Sequence, residues 1–477
     1  MKEKLKNLSK QTIIYGTSTV AGRFLNFILV PFYTNVFPPS EYGIVAVIFA
    51  YTAFFNIIYS LGLESGYFRY ASSPEIGDNK QNFSHPFFGI LLNSLILSVV
   101  IFLSTSWISA ITGIRADFIR YTSGILFFDA LVQVPFAYLR LRNKALLFAA
   151  IKIFNIVINI SGNLILILVA GMGLEAVFIS NLAASFITFL LLLPVITGNI
   201  SFKYNEKLFS ELLKFSLPYL PAGLAAMLIQ VIDKPLMQYL TDVRTVGIYN
   251  ANYKLGIFMM LVVSMFEYAW RPFFLNNMNE PDAKEMFSKV MTAFTGICSV
   301  IFIILSMFIE DIVKIPLPFK GYLIGEQYWS GVTIVPVVLL SYIFLGMYTN
   351  FISGIYIEKK TRYLPQITGL GAFLNIIFCF LLIPAIGITG GALATLVSYL
   401  VMAIHVYLVS QRFYKVNYEL AKLFAVMLVN LVTIILFYLT YNQGLFVIKA
   451  TVSVVLSGLV VYITKLYKAG YLLARNN

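Results

Sequence analysis

The sequence predicts an all-α integral membrane protein with about 14 transmembrane helices. Three observations lead there. Of 477 residues, 59% are hydrophobic and 12% are charged, against roughly 25% charged in soluble domains. The apolar residues come in runs of about 20, the length that crosses a hydrocarbon core about 30 Å thick. Lys and Arg gather in alternate connections between those runs, the bias that places basic loops on the cytoplasmic side.

The first run, 12–36, follows a start carrying Lys2, Lys4, Lys6 and Lys10. At about 25 residues it exceeds the 7–15 of a signal-peptide core, so it reads as an uncleaved span with a cytoplasmic N-terminus. Runs bounded by Gly, Pro or charge follow at 42–63, 84–108, 119–139, 146–170 and 174–196, completing six in the first half. The polar connection Thr197–Lys214 then intervenes, and within it NEKLFSELLKF, from Asn205, has the amphipathic pattern of a helix at the inner interface. We take it as the hinge between an N-terminal lobe, 1–200, and a C-terminal lobe, 201–411. The second lobe holds runs at 215–240, 247–270, 288–309, 331–356, 363–384 and 389–411. Runs at 420–441 and 445–467 and a cytoplasmic tail complete a third region, 412–477.

On this threading the inner connections and termini hold 24 of the basic residues, including Arg140, Arg142 and Lys144, and Lys359, Lys360 and Arg362; the outer connections hold five. One missed or invented span would invert the assignment downstream of it. The formal charge of +13 divides into +13 inside, −2 outside and +2 within the spans, so the surplus is orientation and no nucleic-acid partner is expected. The longest outer connection, Glu310–Ser330, has 21 residues and leaves no room for an external catalytic domain. Cys298 and Cys379 lie in apolar runs, His85 and His405 are far apart, and no G-x-x-x-x-G-K-[ST] loop is present. No disulfide framework, metal site or nucleotide hydrolysis is expected.

The two halves carry traces of one another. SEYGIVAVIFAYTAFF, with Tyr42 and Gly43, and RTVGIYNANYKLGIFM, with Gly247 and Tyr249, each follow a short outer turn. GMGLEAVFISNLAASF, from Gly171, parallels AIGITGGALATLVSYL, from Ala385. Such correspondences in two six-span blocks point to a duplicated transporter architecture.

Ionisable groups inside a bilayer are costly and need a partner or water. The first span aligns Gly16, Thr19, Arg23 and Asn26 on one face, with Tyr33 two turns on; the fifth repeats the device with Lys152, Asn155, Asn159 and Asn163. The seventh offers Gln230, Asp233, Lys234 and Gln238, and the eighth Asn250 and Lys254; Lys449 is a fifth cation, near an outer end. Cations from four spans describe a water-filled cavity that balances a negatively charged group in transit; the alternative is that each pairs with an internal carboxylate or snorkels. Asp129, Asp233 and Glu267 are the acids within spans. Any of them could couple transport to H⁺ or Na⁺, although Glu267 and Arg271 also have the spacing of a helical ion pair. Pro235 removes a backbone bond and frees the Val231 carbonyl beside the Asp233–Lys234 pair, Pro135 lies near Asp129, and Pro336 interrupts the tenth span.

YGTSTVAGRFLNFILVPFYTNVFPPSEYGIVAVI, from Tyr15, and IPAIGITGGALATLVSY, from Ile383, resemble the polysaccharide biosynthesis transporters, the lipid-linked oligosaccharide flippases of the multidrug/oligosaccharidyl-lipid/polysaccharide exporter superfamily. The resemblance implies two pseudo-symmetric six-helix lobes across a cavity plus two C-terminal helices. It implies a non-enzymatic role in a bacterial cytoplasmic membrane, with both termini cytoplasmic: turning a polyprenyl-pyrophosphate-linked repeat unit from the inner to the outer face by alternating access. Arg23, Lys152, Lys234 and Lys254, with Asn26 and Asn159, are the positions that could serve the substrate. Membrane lipids, and a polymerase and glycosyltransferases of the same pathway, are the implied partners, and no cofactor is expected beyond a coupling H⁺ or Na⁺. Two other readings compete. A multidrug exporter of the same superfamily usually has twelve spans and cationic substrates; a membrane polymerase or ligase needs a large outer loop.

Overall fold

A computed structural model describes residues 27–72, 76–318 and 321–467. Among the described residues the chain is all-helical, 86% helix with no strands. This is the expected outcome for bilayer segments, which must satisfy their backbone polar groups internally. Among the described residues, 13 helices or joined helices are long and apolar enough to cross a membrane, and Phe27–Val36 is the described part of the first predicted run. Each of the other thirteen predicted runs has its counterpart.

In order, these are α1 (Phe27–Val36); α2 (Pro39–Ser60); the short α3 (Leu63–Ser72); α4 (Asn79–Leu103); the short α5 (Thr105–Thr112); and α6 (Ala116–Leu131) with α7 (Gln133–Leu141). There follow α8 (Ala145–Leu164), α9 (Glu175–Asn199), α10 (Glu206–Ser216) with α11 (Tyr219–Val231), and α12 (Asp233–Leu240). The rest are α13 (Val243–Tyr253) with α14 (Ile257–Asn277), α15 (Ala283–Val313), α16 (Val335–Phe351), α17 (Ser353–Ile357), α18 (Leu364–Ile386), α19 (Ile388–Phe413), α20 (Leu420–Thr440) and α21 (Phe446–Thr464).

Local chemistry sets several ends. Asp78 and Gln81 form a reciprocal capping box at the start of α4. Asn205 caps α10, and Asp242 caps α13 by accepting from the Thr245 amide at 2.8 Å. The parallel turns Gly171 and Gly387 both take positive φ, 65° and 59°, which a side chain would resist. α6 breaks into α7 at Val132, and α11 into α12 at Ile232. Each break falls three residues before a proline, Pro135 and Pro235, whose ring cannot sit behind a continuous helix.

The chain divides into two compact units: Ile44–Pro235 with the residues up to Leu29, and Val30–Gly43 with Leu236 onward. In the first, Tyr59, Leu63, Phe83, Leu126, Leu208 and Leu212 form one buried cluster. The amphipathic helix α10, expected at the inner interface, thus turns its apolar face onto protein. Burying Leu208 and Leu212 contributes about 2 kcal/mol each. His85 holds that connection in place, its Nδ1 on the Gln81 carbonyl and its Nε2 accepting from the Asn205 amide, both at 2.8 Å.

In the second unit, the starts of α2 and α13 cross backbone to backbone. A methyl group on Gly43 would overlap the Val243 carbonyl oxygen, and one on Gly247 would overlap that of Pro39. Each carbonyl lies four residues before the other glycine, so the two repeat glycines seen in the sequence meet each other reciprocally. The outer connection clasps α1: Asn35 exchanges hydrogen bonds with the Tyr322 backbone at 2.6 and 3.1 Å, and the Tyr328 hydroxyl donates to the Phe37 carbonyl at 2.8 Å. That connection is shorter than expected, because α15 continues to Val313 and a 3₁₀ segment, Glu326–Ile334, leads into α16. Pro336 sits in the first turn of α16, where its missing N–H costs nothing, so it begins that helix instead of interrupting it.

Candidate functional site

Three polar clusters lie at membrane depth. The first is in the first unit, where α6, α8 and α9 meet. Ser185 on α9 donates to the Asp129 carboxylate at 2.7 Å. One turn on, Thr188 accepts from Asn155 of α8 at 2.8 Å and itself donates to the Ala184 carbonyl at 2.7 Å. Lys152 interacts electrostatically with Asp129. The residue is exposed along its stem, but its ammonium lies over the Phe136 ring, 4.3 Å from the centroid, and has no carboxylate within 4.0 Å among the described residues. Further along the same face of α8, Asn163 donates to the Asn159 carbonyl at 2.8 Å and side-chain oxygen at 3.2 Å.

The second cluster is the Asp233–Lys234 pair on α12. Asp233 is fully buried, and its carboxylate accepts from the Lys234 ammonium and the Lys234 amide, both at 3.0 Å. The ammonium also approaches the Gln230 carbonyl, at 3.5 Å. The helix break ahead of Pro235 turns this neighbouring pair into a bonded one. Lys234 therefore carries a compensated charge, unlike Lys152.

The third is in the second unit. Lys254 is exposed on a 3₁₀ turn, Lys254–Gly256, that interrupts the α13–α14 span. Asn252, buried beside it, donates to the Ile248 and Tyr328 carbonyls at 2.9 and 2.8 Å. Glu267 is exposed on α14. The helical ion pair expected between Glu267 and Arg271 is not formed: the Arg271 guanidinium stacks 4.5 Å from the Tyr356 ring centroid, an alternative that keeps its charge at the membrane edge. Arg23 and Asn26 lie outside the described residues, as do Gly16 and Thr19.

Lys449 does not belong to the interior set. It is buried, and its ammonium bonds Glu310 at 3.0 Å and Asp311 at 3.3 Å; Glu310 also accepts from Lys314 at 2.9 Å and from the Asn442 amide at 3.1 Å. The sequence reading assigned Glu310 to a loop, and extension of α15 by one turn is what supplies the counter-charge. Ser185 and Thr188 were also missed; their three-residue spacing on α9 opposite a lone span acid was the available signal. Among the described residues, no group of three metal-ligating side chains occurs.

A family model described as polysaccharide biosynthesis protein matches residues 8–278, more than half of the chain. The chain belongs to that family. The match spans the first two clusters and reaches Glu267 in the third. No curated protein matches the sequence. Among solved structures, this family member is similar to the lipid II flippase MurJ in an inward closed conformation, with TM-score 0.74 and 17% identity over 94% of this chain and 98% of that one. It is also similar to an inward-facing MATE multidrug resistance transporter of the MOP superfamily, with TM-score 0.65 and 14% identity over 82% and 94% of the two chains. A mutant of the Vibrio cholerae MATE transporter VcmN gives TM-score 0.56 and 12% identity over 85% and 96%. At these identities the likeness is one of fold: the polysaccharide biosynthesis protein is a multi-pass membrane protein with a MurJ- and MATE-like fold.

Proposed function

We propose that this protein is a flippase that carries a polyprenyl-pyrophosphate-linked oligosaccharide from the inner to the outer face of a bacterial cytoplasmic membrane by alternating access. The observation that carries the reading is Lys152, an ammonium at membrane depth without a carboxylate within 4.0 Å among the described residues. A span cation whose nearest acid, here Asp129, is beyond ion-pair distance is sustained further by water and by anions that visit it. Family membership and a fold shared with a lipid II flippase support a lipid-linked substrate. Lys254 and Arg23 are the further cations we assign to the pyrophosphate. Asn26 and Asn159 are assigned to the sugar, and Lys234 to a secondary role because Asp233 already neutralises it.

Asp129 is the coupling group in this reading. It is held by one neutral donor and has Lys152 in electrostatic range, so substrate arriving at Lys152 weakens the hold on the carboxylate's negative charge and favours binding of H⁺ or Na⁺. Asp233 and Glu267 are the alternative coupling positions. The test is transport of a lipid-linked oligosaccharide by purified protein in vesicles. Lys152→Ala lowers the rate about tenfold, the equivalent of 1.4 kcal/mol, while Lys152→Arg retains it and Asp129→Asn loses the response to an imposed H⁺ or Na⁺ gradient. Wild-type rates in Lys152→Ala at equal abundance would falsify the assignment of Lys152.

The MATE likeness favours one second reading, export of drugs. The unpaired ammonium argues against cationic drugs, and unaltered drug sensitivity in a deletion strain removes that reading.

A further inference from the structure

On the positive-inside threading, α7 carries a second cation one turn nearer the inner face than Phe136. Arg140 follows Phe136 by four residues, so the two share one face of α7, about 5–6 Å apart. The Lys152 ammonium sits over the Phe136 ring, within about a turn of the Arg140 guanidinium, and the two like charges repel each other. Arg140 is bonded to Glu64, in the first turn of α3, and its guanidinium lies 4.8 Å from the Phe68 ring centroid. The Arg140 and Glu64 side chains are 39% and 33% exposed, so an anion in solution can reach them.

Arg142 and Lys144 stand apart from this pair. Both lie over Tyr138, 5.8 and 6.0 Å from its ring centroid, and Tyr138 is two positions from Phe136, on the other side of α7. Their placement follows the positive-inside bias alone. The order of charge through the site is Glu64, Arg140, Lys152, Asp129, with two cations adjacent in its middle. An anion with oxygens for both relieves their repulsion. The guanidinium fork grips a phosphoryl group through two parallel N–H bonds, and the flexible lysine stem lets the ammonium follow it. An acyl chain or a sugar hydroxyl relieves neither charge. Glu64 is readily displaced from Arg140, because part-exposed ion pairs are weak.

We propose that Arg140 and Lys152 form an inner-side binding site for a phosphate or diphosphate group, with Glu64 as the counter-ion that the incoming anion displaces. The inference adds Arg140 to the flippase reading and rests on that reading for the role of Lys152. Exchange of Glu64 for the anion keeps Arg140 neutralised throughout, so capture at the inner face leaves no bare guanidinium.

The test is calorimetric titration of inorganic pyrophosphate into the full chain in an uncharged detergent, without metal ions. Glu64→Gln binds about fivefold tighter than wild type, the return from removing a part-exposed competitor, and misfolding cannot produce a gain. Arg140→Gln and Lys152→Ala each bind about tenfold more weakly. In the Arg140→Gln background Glu64→Gln changes nothing, because Glu64 acts through Arg140. Glu211→Gln, which releases Lys214 from another inner-side ion pair, keeps wild-type affinity. The site is overturned by absence of binding to wild type, by equal affinity in Glu64→Gln and wild type, by a Glu64→Gln gain that survives loss of Arg140, or by an equal gain in Glu211→Gln. Farnesyl diphosphate separates the two sources of the group: competition at lower concentration than pyrophosphate assigns the site to a lipid-borne phosphate, weaker competition to a free one, and the site stands in both cases. Pyrophosphate binding is read without lipid, sugar or transport. Transport failing in wild type while this pattern holds defeats the flippase reading alone, and transport holding while the pattern fails defeats the Arg140 site alone.

Discussion

Buried charge in this protein is decided by the second partner, and the residues show both outcomes. Lys449 is 2% exposed and Glu310 6%, so neither can be screened by water, and removing one strands the other. Lys449→Met is expected to lower stability by about 3 kcal/mol, since breaking a buried pair costs that much; Lys449→Met combined with Glu310→Gln recovers most of it. Thermal unfolding in detergent measures both, and equal melting of Lys449→Met and wild type would refute the account. The sequence identified Lys449 as a cation within a span but could not pair it, because Glu310 is 139 positions away and only the packing of α15 against α21 joins them. Asp233 and Lys234 were legible for the opposite reason: they are neighbours, and the proline behind them announces the break. Outside the spans, Glu419 repeats the theme. Burial raises its carboxyl, but bonds from Lys422 and from Thr292, the latter at 2.7 Å, outweigh burial and hold it below the usual range.

Elements were the most legible level, because an apolar run of about 20 residues has one low-energy answer in a bilayer. The exceptions are where tertiary contact competes. The helix α10 has the pattern of an interfacial helix, and its Leu208 and Leu212 go into protein instead, a choice periodicity cannot make. The connection after α15 reads as a loop because Glu310, Asp311 and Lys314 are charged, yet Glu310 pairs with Lys314 and Lys449, and Asp311 with Lys449, and α15 runs on. The repeat glycines show pattern and packing agreeing. Gly43→Ala and Gly247→Ala each drive a methyl group into a backbone carbonyl, so each is expected to cost about 1–3 kcal/mol as overpacking does. The double variant costs less than the sum, since one separation relieves both. Calorimetry of the three variants checks this, and unchanged stability in either single variant would contradict the close crossing.

At the scale of the whole molecule, charge predicts the orientation: 24 basic residues fall on one side of the threading and five on the other. Single cysteines at Lys80, Lys203 and Lys359 are therefore expected to react with a membrane-impermeant thiol reagent only from the cytoplasmic side, and cysteines at Arg115 and Arg244 only from outside. A mixed pattern within either set would break the threading. The sequence by itself determined the all-helical membrane class and the family, because these depend on composition, run length and local motif, which are properties of contiguous chain. It also marked nearly every charge at membrane depth. Only the tertiary structure decided which of those charges are neutralised, giving Asp233 to Lys234 and Glu310 to Lys449 while leaving Lys152 near Asp129 but beyond ion-pair distance. It alone brought Ile48 of α2, Trp107 of α5 and Leu126 of α6 around one cavity. Pairing and cavity shape depend on which helix faces abut, and that is fixed by contacts between residues tens to hundreds of positions apart.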